Sequence, residues 1–297
     1  MNVVRETFLK TTEEILDADP DVAVVLADIS AAQLAAAARR HPDRVINVGI
    51  REQLMVSVGA GLALAGLRPI VHTFPSFLVE RGFEQIKLDF SHQDVGGVLV
   101  SWGGSYDMPT AGRTHQAPGD VALLDSLPEW TVHVPGHEEE ARRLVLESIP
   151  GDGRVYVRLS AQSNGSPHLG VGFTRLRFGS SGVVVAVGPM LDRVLRACAG
   201  LDVTVLYAST IRPFDAAGLR SAVSSACGDV VLVEPYLAGT SAHWVAEALS
   251  DVPHRVKSLG VRRDAEVRTY GGIADHDLAH GLDAGSLGLS IREFLGV

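Results

Sequence analysis

Apolar residues along the chain fall into short runs separated by stretches with helical spacing. The runs Val22–Ala27, Arg44–Val48, Pro69–Thr73, Val98–Ser101, Thr131–Val134 and Arg154–Leu159 are rich in Val, Ile and Leu with little polar alternation. That is the pattern of strands covered on both faces. The strand, helix, strand order that results predicts an α/β fold, a mostly parallel sheet with helices on each side. The stretch "PGHEEEARRLVLESI" illustrates one connection. Pro135-Gly136 ends a strand, Glu138 to Glu140 favour a first helical turn, and Leu144, Val145 and Ile149 form its buried stripe.

Between Ser160 and Gly182 the composition turns to Gly, Ser and Asn, as at a domain boundary. The expected division is a first domain over residues 1–162, a linker over 163–181 and a second α/β domain over 182–297, both domains doubly wound. Strands of the second are expected at Val183–Val187, Val203–Leu206, Val230–Val233 and Arg255–Lys257, with helices at Asp215–Ser225 and Ser241–Leu249.

With 297 residues, 46% apolar and 21% charged, the chain reads as a folded globular protein. A formal charge of −9 argues against a nucleic-acid or anionic-membrane surface. No apolar stretch reaches the roughly 20 residues needed to cross a bilayer, and the start lacks the basic and apolar regions of a secretion signal. Cytoplasmic localisation is the expectation. Cys198 and Cys227 lack metal-like spacing and fit a reducing compartment.

Ligands of open α/β sheets collect beyond the carboxyl ends of the strands. Those ends single out Asp28 and Ser30, then Glu52, then Thr73 to Phe77, and then Trp102 to Asp107. Glu52 is unusual. It opens the segment "NVGIREQLMVSVGAGLALAG", otherwise apolar or small, where Leu54, Met55, Val58 and Leu62 are helically spaced. An acid in a first turn is common on surfaces, but Gly59 and Gly61 each cost a helix about 1 kcal/mol relative to alanine and suggest close approach by another backbone. A helix packed so tightly places its first turn in a dry site, where a carboxyl group can stay protonated and donate.

"NVGIREQLMVSVGAGLALAGLRPIVHTFPSF" resembles the pyrimidine-binding domain of transketolases and their thiamine-diphosphate relatives, and "LADIS", "RTHQAPGDVALLDSLPEWTV", "IRPFD" and "VEPY" extend the resemblance over nearly the whole chain. It implies that Glu52 hydrogen-bonds a ring nitrogen of the cofactor's aminopyrimidine and so activates the cofactor. Such positioned proton transfer contributes about 10²–10⁴-fold. The resemblance also implies that Phe74 and Phe77 flank the pyrimidine, that Asp28 lies close to the cofactor, and that His115 handles substrate. Arg5 is implied to grip a substrate phosphate; Ser30 at its strand end, and Arg113 and Arg158 as charges near the substituted Ala161, are further candidate substrate contacts. Glu80 stands where transketolases carry a third aromatic, with Arg81 and Phe83 nearby.

Several departures narrow the reading. The Gly-Asp-Gly with a downstream Asn that holds diphosphate and Mg²⁺ in full-length transketolases is missing, since "GDG" at Gly151–Gly153 precedes a strand and Asn164 follows too closely. No metal ligand is expected here. Thiamine diphosphate would be shared with a partner, and Mg²⁺ or Ca²⁺ bound through a separate diphosphate-binding subunit, in a heterotetramer. Ala111 replaces an aspartate that senses a donor hydroxyl, and Ala161 replaces a phosphate-binding arginine. Asp275, His276, Asp277 and His280 are read as structural. The expected activity is ketol transfer between a sugar or sugar phosphate and an aldehyde. The alternatives are a 2-oxoacid-decarboxylating relative and a noncatalytic assembly subunit.

Overall fold

The computed structural model describes residues 3–297 and contains two sheets. The strands of the first are β1 (Val22–Leu26), β2 (Val45–Asn47), β3 (Arg68–Thr73), β4 (Gly97–Trp102), β5 (Trp130–His133), β6 (Arg154–Leu159) and β10 (Thr210–Arg212). These seven lie in the order β10-β5-β6-β4-β3-β1-β2. All their pairs are parallel except β10 with β5. The second sheet is built from β7 (Thr174–Arg177), β8 (Val183–Val187), β9 (Thr204–Ala208), β11 (Asp229–Leu237) and β12 (Arg255–Val261), and runs β12-β11-β8-β9-β7.

The continuous apolar runs are explained by helices on both faces of the first sheet. Val22, Val24 and Leu26 of β1 pack with Val98, Val100, Val155 and Val157 against Phe8 and Leu16 of the helix Val3–Ala18 and against Val145 of the helix Glu138–Ser148. Val25, Val71, Leu99 and Tyr156 face the other way, onto Met55, Val56 and Ala60 of the helix Glu52–Leu64. Gly59 permits that contact, because a Cβ there would lie 2.5 Å from Val71 Cγ2. Gly61 has open space around it within this chain, so the close approach expected there is absent.

Two strands are invisible to pattern reading. The segment expected as a linker contains β7, which pairs antiparallel with β9. Directly after β9, β10 leaves the second sheet and pairs antiparallel with β5, with Arg212 opposite Val132. A strand from the second half therefore forms one edge of the first sheet. The two halves share this seam, reinforced where Asn164 Nδ2 donates to the Gly188 carbonyl at 3.0 Å.

Candidate active site

Glu52 begins its helix just beyond the carboxyl end of β2. Asn47 shapes the approach: its Oδ1 accepts from the backbone N–H of Asp28 and of Gly49, the latter in the left-handed region that suits glycine. The Glu52 side chain is 3% exposed and accepts through Oε2 from Arg81 Nη1 at 2.7 Å. Within the dry site expected for Glu52, a guanidinium stands against the carboxylate. Arg81 also lies 4.3 Å over the ring of Phe77. Glu80, which stands where a third aromatic was expected, is exposed and points toward Gly119.

Phe74 and Phe77 follow β3, and Phe74 is buried. Their ring centroids are 5.8 Å apart, edge to face. His115, from the 3-10 turn Arg113–His115, lies 5.3 Å from Phe74 and 5.1 Å from Phe77. Its Nδ1 is 3.0 Å from Thr114 Oγ1, which leaves Nε2 for a ligand. Glu52, Arg81, Phe77, Phe74 and His115 thus form one contiguous cage.

Trp102, 5.6 Å from Phe74, joins the cage to a polar limb. Arg5 lies 4.7 Å over Trp102 and its Nη2 donates to Ser30 Oγ at 2.9 Å. Ser30 Oγ is 3.0 Å from His72 Nε2, and His72 Nδ1 is 2.9 Å from the Val100 carbonyl. Burial chiefly, helped by the nearby Arg5 charge and opposed by the Val100 bond, lowers the pKa of His72 to about 4. The ring is therefore neutral near pH 7, with Nδ1–H donating to Val100 and Nε2 accepting from the serine hydroxyl. Asp28 and Ser30 both have positive φ, +63° and +67°, a strained conformation of the kind that clusters at ligand sites.

The remaining expected site residues have other partners in this chain. Asp28 is exposed and bonds Asn47 Nδ2 at 3.1 Å. Arg113 pairs with Glu266 at 3.1 Å and donates to the Gln116 carbonyl, in a groove of about 440 Å³ against the C-terminal half. Arg158 is 1% exposed, so it cannot serve as a substrate contact. It donates to Asp120 and Ser105, both at 2.7 Å, beneath Gly104, where any Cβ would strike its guanidinium. The Gly151–Gly153 turn precedes β6 and lies at the opposite end of the sheet from Glu52. Among the described residues no group of three or more His, Cys, Asp and Glu is placed to hold a metal.

Sequence reasoning passes over His72, and it names Arg81 beside Glu80 and Tyr106 within Trp102 to Asp107 without giving either a contact. His72 carries a signal, a lone polar side chain inside an apolar strand. Tyr106 carries none. It is stacked against His276 and His280, each 5.3 Å away, and its hydroxyl donates to Asp277 Oδ1 at 2.7 Å. The C-terminal helix Ile273–His280 thereby grips the loop that carries His115.

A buried carboxylate with one oxygen committed, beside aromatic rings, fits the edge and faces of an aminopyrimidine.

The family described as "Transketolase, pyrimidine binding domain" matches residues 3–166. A 33.6 kDa uncharacterized protein of the fasciation locus of Rhodococcoides fascians is 60% identical over 97% of this chain and 94% of its own. One of the subunits of the apulose-4-phosphate transketolase of Actinobacillus succinogenes is 27% identical over 96% of this chain and 95% of its own. Among solved structures, a split gene transketolase described as an inactive β4 tetramer superimposes with a TM-score of 0.84 at 26% identity, covering 99% of this chain and 98% of that one. The chain belongs to the transketolase family, with the pyrimidine-binding domain over residues 3–166, and over its whole length it is similar to these split-transketolase chains.

Proposed function

We propose that this chain is half of a thiamine-diphosphate transketolase that moves a two-carbon ketol unit from a ketose donor to an aldehyde acceptor. When bound, the cofactor supplies the electron sink for the cleaved carbonyl compound. This chain's residues do the rest. Glu52 holds the proton exchanged with the pyrimidine ring nitrogen. Phe74 and Phe77 fix the plane of that ring. His115 Nε2 meets the substrate oxygen near the reacting carbon, and Arg5 with Ser30 receives an anionic end such as a sugar phosphate. The observation that carries the reading is Glu52 buried at the edge of the aromatic cage.

The diphosphate and its Mg²⁺ or Ca²⁺ would be held by a separate subunit. In support, the Glu52 helix is apolar on its outer side as well as its inner one. Ile50 is 73%, Leu54 45% and Leu64 58% exposed beside the open Gly61, a surface that suits a protein partner in a heterotetramer. The test is reconstitution with the diphosphate-binding subunit, scored by ketol transfer from a ketose phosphate. Wild-type chain restores transfer and Glu52→Gln does not; equal turnover by both overturns the reading.

A further inference from the structure

We propose that Arg81 is a built-in occupant of the pyrimidine pocket: in the free chain its guanidinium covers Phe77 and caps Glu52, and ligand entry swings it out to solvent. The proposal rests on the pyrimidine-pocket reading above. A guanidinium is planar and delocalised, with in-plane N–H donors and a face that stacks on aromatic rings. An aminopyrimidine offers the same combination. Arg81 uses both properties on the two groups that a heterocycle would need, lying 4.3 Å over Phe77 and 2.7 Å from Glu52 Oε2. The Phe77 face that it covers cannot stack on anything else while it stays.

The anchoring of Arg81 points the same way. Its side chain has no hydrogen-bond or ring partner among the described residues besides Glu52 and Phe77. Structural arginines of this fold are tied several times over. Arg212 bonds Asp125, Ser241 and the Ile211 carbonyl, and Arg193 bonds Asp277, Gln162 and the Leu282 carbonyl. The Arg81 side chain is also 41% exposed where Glu52 is 3% exposed, so it enters from the solvent side and has room to leave. Its backbone is fixed meanwhile, at the end of the π-helical turn Ser76–Glu80, where its N–H donates to Ser76. Release therefore needs side-chain rotation alone.

The experiment is titration of the full-length chain with thiamine, followed by calorimetry and by quenching of tryptophan fluorescence, to which Trp102 contributes from 5.6 Å beside Phe74. Losing an exposed ion pair and a cation–π contact as competitors makes Arg81→Met bind about 3- to 10-fold tighter than wild type. Arg81→Lys, which keeps the charge and loses the planar stack, falls between them. Weaker or unchanged binding by Arg81→Met overturns the proposal and makes Arg81 a fixed wall. Failure of Arg81→Met to bind millimolar thiamine overturns it too. Phe77→Ala and Glu52→Gln separate this from failure of the underlying reading: if both bind thiamine as wild type does, the pocket itself is misassigned.

Discussion

Two buried charged clusters stand on the same rim of the first sheet, and they are built on opposite principles. Around Arg158 the bonding is saturated. Asp120 Oδ2 accepts from both Arg158 and Tyr156, Tyr156 shares a 2.7 Å bond with Ser101, and Arg158 also holds Ser105 and lies over the Tyr236 ring. Around Glu52 it is sparse: one oxygen has one partner, a half-exposed arginine. Saturation marks a strut that ties the site loop to the sheet. Spare capacity marks a group kept ready for something else.

The largest expected effect breaks the comparison on the sparse side. Glu52→Gln in the reconstituted enzyme lowers turnover by about 10²–10⁴-fold, the range of positioned proton transfer. Stability of the chain shifts by less than about 1 kcal/mol, because Gln still accepts from Arg81 and the pair lost is partly exposed. Denaturant unfolding beside steady-state rates checks both halves. On the saturated side the order reverses. Arg158→Met leaves Asp120 buried without its cation and costs about 3–5 kcal/mol of stability, read as a shifted urea midpoint. A variant unfolding at the wild-type midpoint would remove the distinction.

These clusters also show what is legible in the sequence. Strand runs of Val, Ile and Leu reveal the α/β architecture because both faces are covered, and Glu52, Phe74, Phe77 and His115 stand out and are brought together. Arg158 misleads as a substrate contact, since a cation after a buried strand looks alike whether it meets ligand or Asp120. The contacts of Arg81 leave no sign in the sequence because they depend on a π-helical turn that no periodicity encodes. β7 and β10 are short edge strands, stabilised by partners far along the chain, and local pattern carries no record of that.

His72 lies between the two kinds of cluster: it is fully buried like the strut, yet bonded to Ser30 in the site. Its pKa in the folded chain, about 4, is below the ordinary value of 6.5, so between those values the unfolded chain binds more protons. Stability conferred by keeping it neutral is present above pH 6.5 and is lost as pH falls toward 4. His133, also lowered to about 4 chiefly by burial, adds to that slope. Glu234, raised to about 7 chiefly by burial, opposes it, since its contribution is lost as pH rises from about 4.5 to 7. His72→Gln can keep both bonds without the titration. Its stability should climb less steeply than wild type between about pH 4.5 and 6, by about 1.4 kcal/mol per pH unit. Parallel profiles would show that His72 is not held neutral.

The smallest effect tests how far the strut reaches. Tyr106 is tied to the C-terminal helix by stacking on His276 and His280 and by its bond to Asp277, which Arg193 also holds through both Nη atoms. Tyr106→Phe removes one bond while Asp277 stays paired, so about 0.5–1.5 kcal/mol is lost. Tyr106→Ala removes the stacked ring as well and frees the loop that places His115 over Phe74 and Phe77. If the second half acts only as scaffold, both variants lose stability in proportion and retain KM for the donor. If its grip sets the position of His115, Tyr106→Ala raises KM beyond what its stability loss accounts for, and Tyr106→Phe does not. A KM that follows neither variant would confine the C-terminal helix to holding the fold.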